Sequence, residues 1–368
     1  SRHNDYACFK LNDNTYSNDG WIPLDFRVPE TVKLAGDAAM ATGAFPVGLR
    51  SREVNRKSKY INDNPFLKKV TELNPVEGEE HESLNVDGGV INNEPFDRVR
   101  DVLKELTGQH ESNDYNSYNK FTSTQIMIDP FPSEPPEYKH SDRLFQVVGS
   151  TLTALINQSR IKQENLVAAA DSDCAGQYLI APSRDVPQLK GGGEKAEMGA
   201  KAIACGAFGG FSGFLNKEFR IHDYFLGRAN CEKFLRDHFT VPADTTNLIT
   251  EGYKNLTEAQ KEAYYSKTNK IKKHLPIIPV IAPRKDKKYM PVFSSGSDWP
   301  VIRDKDIERF RPDMKDRVND LIMNLADYNR MTWLLLRIGG FIVLNRKIAG
   351  VAMDMIKKSL VEHQLIKK

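Results

Sequence analysis

Hydrophobic positions along the chain fall into two regimes, with the change near residue 185. In the first, short apolar runs alternate with stretches of helical period. After Pro29, whose fixed φ suits a first helical turn, Val32, Leu34, Ala35, Ala38 and Ala39 recur at i, i+3, i+4 spacing. That spacing predicts a helix from Pro29 that stops at Gly43, and its small side chains predict close packing rather than a surface position. Residues 6–10 and 84–91 read as strands, the second ending in a glycine turn. Asn92-Asn93-Glu94-Pro95 then supplies caps, an early acid and an early proline, and Phe96, Val99, Val102, Leu103 and Leu106 share one face of the helix that follows. Residues 124–128 and 177–181 read as further strands, with a helix carried by Leu144, Val148, Leu152 and Leu155 between them. Residues 54–83 are polar without a sustained period and read as loops with one short helix.

In the second regime residues 196–207, 224–239 and 307–325 read as helices. Residues 276–281 alone look extended, and their prolines confine them to an edge. Residues 333–344 are the most apolar, but Arg337 interrupts them and Arg346 and Lys347 close them short of the ~20 residues a membrane span needs. They read as core helix, with a helix lying in a membrane interface as the alternative. The expected architecture is α/β with a largely parallel sheet over 1–185, followed by a mostly helical region over 186–368.

Composition narrows the function. The chain has 368 residues, enough for about two domains at roughly 100–200 residues each. Lys+Arg 52 against Asp+Glu 49 gives a net charge of +3, too balanced for nucleic acid to be the expected partner. Cys8, Cys174, Cys205 and Cys231 lack C-x-x-C spacing, and no H-x-x-x-H or H-E-x-x-H occurs, so neither a metal nor another cofactor is expected. The chain opens at Ser1 without an initiator Met or a signal peptide, and reads as cut from something longer. The expected location is the cytoplasm or the periphery of a membrane.

Val86-Asp87-Gly88-Gly89 is the best candidate for chemistry. A carboxylate at the carboxyl end of a strand stands where open α/β sheets place ligands, and Gly88 and Gly89 keep bulk away from it. An Asp that acts as a base needs its basicity raised. The alternative is a strand-to-helix turn in which Asp87 only satisfies backbone N–H groups. Elsewhere, Ser212 lies among glycines in the wrong frame for a nucleophile elbow and reads as part of a close-packed junction. Gly191-Gly192-Gly193 reads as a connector, and Ser294-Ser295-Gly296-Ser297 as a turn. Asp223, beside His222, reads as the cap of a helix that begins at Tyr224.

Ala41-Thr42-Gly43-Ala44-Phe45-Pro46, followed by Val86-Asp87-Gly88-Gly89 and the Asn-Glu-Pro helix start, resembles the patatin-like phospholipase family. The run from Gly210 to Phe214, and that from Phe219 to Arg228, is similar to the C-terminal part of a long bacterial branch of that family. The resemblance implies a three-layer α/β/α domain, incomplete at its N-terminus, and lipid acyl-ester hydrolysis by a Ser–Asp dyad. Asp87 takes the place of the dyad base, and a glycine-rich loop supplies the oxyanion donors. Implied partners are a lipid or acyl-ester substrate, a membrane surface, and a missing N-terminal segment of the same protein. Residues 1–40 contain no Gly-x-Ser-x-Gly, so no nucleophile is found. The 368 residues alone are then expected to be inactive, and a lipid-binding or scaffolding module that has shed its serine is the alternative.

Overall fold

The computed structural model describes residues 5–12, 14–44, 49–89, 96–108, 117–131, 147, 174–187, 194–268, 273–280, 289–324 and 341–367. The chain is mixed α/β and divides into two compact units, Ser1–Arg100 with Pro135–Leu166, and Asp101–Glu134 with Val167–Lys368. Among the described residues the strands pair in twos, three pairs parallel and three antiparallel. The expected largely parallel sheet is thus replaced, in that part of the chain, by short pairs of mixed direction.

In the first unit β1 (Phe9–Leu11) lies parallel to β2 (Ile22–Leu24). Helix α1 (Pro29–Thr42) has the bounds its sequence predicts, with Pro29 in its first turn and Gly43 at its C-cap. Its packing differs. Ala41 is its only buried residue, because Ala35, Ala38 and Ala39 face an open cavity rather than a filled core. β3 (Arg52–Lys57) runs antiparallel to β4 (Glu80–Asn85), with the short helices α2 (Lys59–Asn62) and α3 (Lys68–Thr71) between them.

β3 corrects the reading of 54–83 as loops. Its inward side chains are Val54 and Arg56, and the buried guanidinium disguised the two-residue period. Arg56 is held by an ion pair with Asp5 and by the Tyr6 carbonyl at 3.1 Å. β4 begins and ends several residues before the strand expected at 84–91, and Leu84 is exposed. Helix α4 (Phe96–Thr107) follows, and the division between the units falls inside it. The helix expected around Leu144 to Leu155, the Asn-Glu-Pro start and Gly191-Gly192-Gly193 lie outside the described residues.

In the second unit β5 (Gln125–Ile128) and β6 (Gln177–Ile180) are strands where the apolar runs predict them, and the two lie parallel to each other. β7 (Ser183–Pro187) pairs antiparallel with β8 (Glu194–Met198), which takes up the first three residues of the helix expected over 196–207. Gly199, at φ +65°, ends β8, and tight turns carry the chain to helix α5 (Lys217–Asp237). α5 starts seven residues before Tyr224 because Asn216 caps it, accepting the Glu218 N–H at 2.9 Å.

β9 (Thr240–Pro242) then pairs with β10 (His274–Pro276), with helices α6 (Leu248–Gly252) and α7 (Glu258–Glu262) between them. The helix expected over 307–325 is two helices, α8 (Asp304–Glu308) and α9 (Arg311–Asn324), after β11 (Ile302–Arg303). α10 (Phe341–Glu362) leads to β12 (Ile366–Lys367), which lies parallel to β11. The core of this unit gathers Phe219, Ile307, Met353 and Leu360. Residues 333–340 lie outside the described residues. Among those described, no helix is long and apolar enough to cross a membrane.

Candidate functional site

The segments Ala41–Ala44 and Asp87–Gly89 meet in the first unit, the one at the C-terminus of α1 and the other just after β4. The Asp87 N–H donates to the Ala44 carbonyl at 3.0 Å. One residue on, a Cβ on Gly88 would lie 3.3 Å from Thr42 Oγ1, so glycine lets the turn approach the helix end. A hydrogen bond and a close approach therefore join two stretches more than forty positions apart in sequence. Phe45 and Pro46 lie outside the described residues.

Asp87 is half-buried. Its Oδ1 accepts the Gly89 N–H at 2.7 Å, the local contact of a turn-forming aspartate. Among the described residues no side chain bonds to its carboxylate or pairs with it, and the turn uses only one of its two oxygens. Val86 and Gly88 line a cavity of about 410 Å³, together with Ala38, Thr42, Arg56 and Asn85. Arg56 is the residue sequence reasoning missed. Its side chain is 2% exposed, and among the described residues its Nε finds no hydrogen-bond partner. The signal for it was weak, since an arginine in a charged stretch normally marks a solvated face.

The other candidates resolve as structure. The Ser212 hydroxyl is buried and donates to the Ala204 carbonyl at 2.9 Å, as a close-packed junction requires. The Ser294 hydroxyl donates to Glu218, and Gly296 at φ +82° sits in the turn between Phe293 and Ser297. Asp223 is not a helix cap. It lies inside α5, where its two oxygens accept the Ala204 and Cys205 N–H groups at 2.7 Å each and Oδ1 also meets His222 Nδ1 at 2.7 Å. Among the described residues no cluster of His, Cys, Asp and Glu could hold a metal ion.

No family model matches the chain. No solved structure matches it either. Over 275 residues it is 34% identical to a Sinorhizobium fredii (strain NBRC 101917 / NGR234) protein described as "Uncharacterized protein y4iI", a stretch covering 69% of this chain and 38% of that protein. The chain thus spans well under half the length of the relative it matches.

Proposed function

We propose that this chain is the Asp-bearing part of a patatin-like lipid acyl hydrolase, with Asp87 as the base of a Ser–Asp dyad. The observation that supports the reading is the Asp87 N–H bond to the Ala44 carbonyl, which ties together the two segments that carry the resemblance. In this reading residues 1–185 belong to a three-layer α/β/α domain. The serine and the oxyanion donors come from a segment of the polypeptide outside residues 1–368.

The chemistry asked of Asp87 is proton transfer. As the serine oxygen bonds to the ester carbonyl carbon, its proton passes to the Asp87 carboxylate, and backbone N–H groups stabilise the oxyanion that forms. Collapse expels the alcohol, which takes that proton, and leaves an acyl-enzyme. Water then adds by the same route and releases the carboxylic acid and the serine. The oxygen of Asp87 that the turn does not use is the atom that would accept the proton.

A second reading, a lipid-binding or scaffolding module without a nucleophile, is favoured by the absence of Gly-x-Ser-x-Gly before Asp87 and by the turn bond to Gly89. Ester hydrolysis separates the two. The assay compares residues 1–368 with the longest polypeptide of the reading frame that contains them, using a p-nitrophenyl ester. The hydrolase reading expects activity in the longer polypeptide alone, reduced about 10²–10⁴-fold by Asp87→Asn. Wild-type rates in Asp87→Asn, or hydrolysis by residues 1–368 alone, overturn it. A longer polypeptide that binds lipid without hydrolysing ester establishes the module instead.

A further inference from the structure

The second unit holds a cavity of about 580 Å³, within the range of roughly 300–1,000 Å³ typical of small-molecule sites. One wall is the β5–β6 pair, which presents Ile126, Ile128 and Ile180 to it. The opposite wall is a single face of α5, where Gly227, Cys231, Phe234 and Leu235 follow at helical spacing. Parallel strands are normally covered on both faces, yet Ile126 is 42% and Ile128 76% exposed. The sheet pair therefore offers an apolar surface that no described side chain fills.

The polar groups around this surface are nearly all occupied. Asp223 is engaged by two backbone amides and by His222. Asn230 is tied to Ser183, accepting its N–H at 2.6 Å and donating to its carbonyl at 2.9 Å. Burial and the neighbouring Asp223 push the Cys205 thiol up to about 12, so it stays neutral. Arg220 is the exception. One of its terminal nitrogens donates to the Gly213 carbonyl, and among the described residues no carboxylate forms an ion pair with it. An exposed guanidinium at the edge of an apolar cavity suits an anionic head on a long hydrocarbon tail, and a single planar carboxylate is the simplest head that its fork can grip.

We infer that this cavity binds a long-chain fatty acid, with its tail along Ile126, Ile128 and Ile180 and its carboxylate on Arg220. The site does not rest on the hydrolase reading, because every residue it uses belongs to the second unit and none to the Asp87 segment.

Calorimetric titration of residues 1–368 with dodecanoate, decanoate and 1-dodecanol tests it. One dodecanoate is expected per chain, with affinity falling about fourfold for each CH₂ removed. Gly227→Phe is chosen to plug the cavity, at a position where a Cβ meets nothing within 4 Å. Ile128→Glu places a charge on the exposed strand face. Each is expected to weaken dodecanoate at least tenfold with the melting temperature held within a few degrees. Arg220→Met is expected to weaken dodecanoate at least tenfold and 1-dodecanol less than twofold. No saturable binding, binding indifferent to both Gly227→Phe and Ile128→Glu, or equal losses for acid and alcohol in Arg220→Met would overturn the assignment. Should Gly227→Phe fail to fold, Ile128→Glu and Arg220→Met decide the question.

Discussion

Asp223 Oδ1 stands 2.7 Å from Nδ1 of the residue beside it, His222, in a contact between neighbours that needs the helix to turn both side chains to one side. His222 is buried against Trp299 and Phe293, and Asp223 reaches across to the Ala204 and Cys205 amides. The pair anchors the tight turns after β8 onto α5. Asn offers only one acceptor oxygen where Asp223 uses two, so Asp223→Asn leaves a backbone donor facing an NH₂ group. Urea denaturation is expected to show a loss of about 1–3 kcal/mol. A loss under about 0.5 kcal/mol would mean that the carboxylate does not hold the turns.

That anchor shows what local pattern could and could not reveal. α1 was legible because Pro29 and Gly43 mark its ends by backbone geometry alone. β5 and β6 were legible because their apolar residues sit in unbroken runs. β3 was not, since one of its two inward positions is an arginine whose partners, Asp5 and the Tyr6 carbonyl, lie some fifty residues away. Asp223 was misread for a similar reason: an acid before an aromatic helical stretch looks like a cap until Asn216 is seen to fill that role. At the candidate site the motif order picks out Asp87, Gly88 and Gly89 as candidates. It did not predict the hydrogen bond to Ala44, because backbone pairing across forty positions leaves no local trace.

Asp87 gives the second prediction, which separates its turn role from its proposed chemistry. Asparagine keeps the oxygen that accepts the Gly89 N–H, so Asp87→Asn is expected to change unfolding stability by less than about 0.5 kcal/mol. Alanine removes that acceptor, and Asp87→Ala is expected to cost about 0.5–1.5 kcal/mol. Guanidinium denaturation of residues 1–368 reads both. Asparagine as costly as alanine would show that the charge itself holds the turn.

Two glycines of the second unit should respond in opposite directions. A Cβ at Gly206 would lie 1.8 Å from the Ala200 carbonyl oxygen, closer than any backbone can tolerate, whereas one at Gly227 meets nothing within 4 Å. Gly206→Ala must displace the turn that carries it and is expected to destabilise by more than about 3 kcal/mol, beyond the usual range for a point substitution. Gly227→Ala, inside α5, is expected to stabilise by about 0.5–1 kcal/mol through helix propensity. Thermal melts of the two variants check the pair, and a stabilised Gly206→Ala would contradict the packing of the turns.

Glu308, at the end of α8, is gripped by Arg311 at 2.6 and 2.9 Å and by Lys357 of α10 at 2.6 Å, while Lys357 also meets Asp304 at 2.8 Å. The Arg311 and Lys357 hydrogen bonds hold the Glu308 carboxyl down to about 2. A depressed folded-state pKa means that the cluster stabilises fully above the ordinary glutamate value of about 4.3, and that this contribution disappears as the pH falls toward 2. Lys357 is shifted upward by the same acids, so its charge persists through neutral pH and does not limit the cluster there. Solvent screens a cluster of this kind, so its worth is small. Lys357→Met is therefore expected to lower the melting temperature by a few degrees at pH 7 and at pH 5. The difference from wild type should shrink between pH 4 and pH 2, as Glu308 takes up its proton and the lysine loses the charge it answers. A difference that stays constant down to pH 2 would place the effect of Lys357 in the packing of its aliphatic stem between α8 and α10, rather than in its charge.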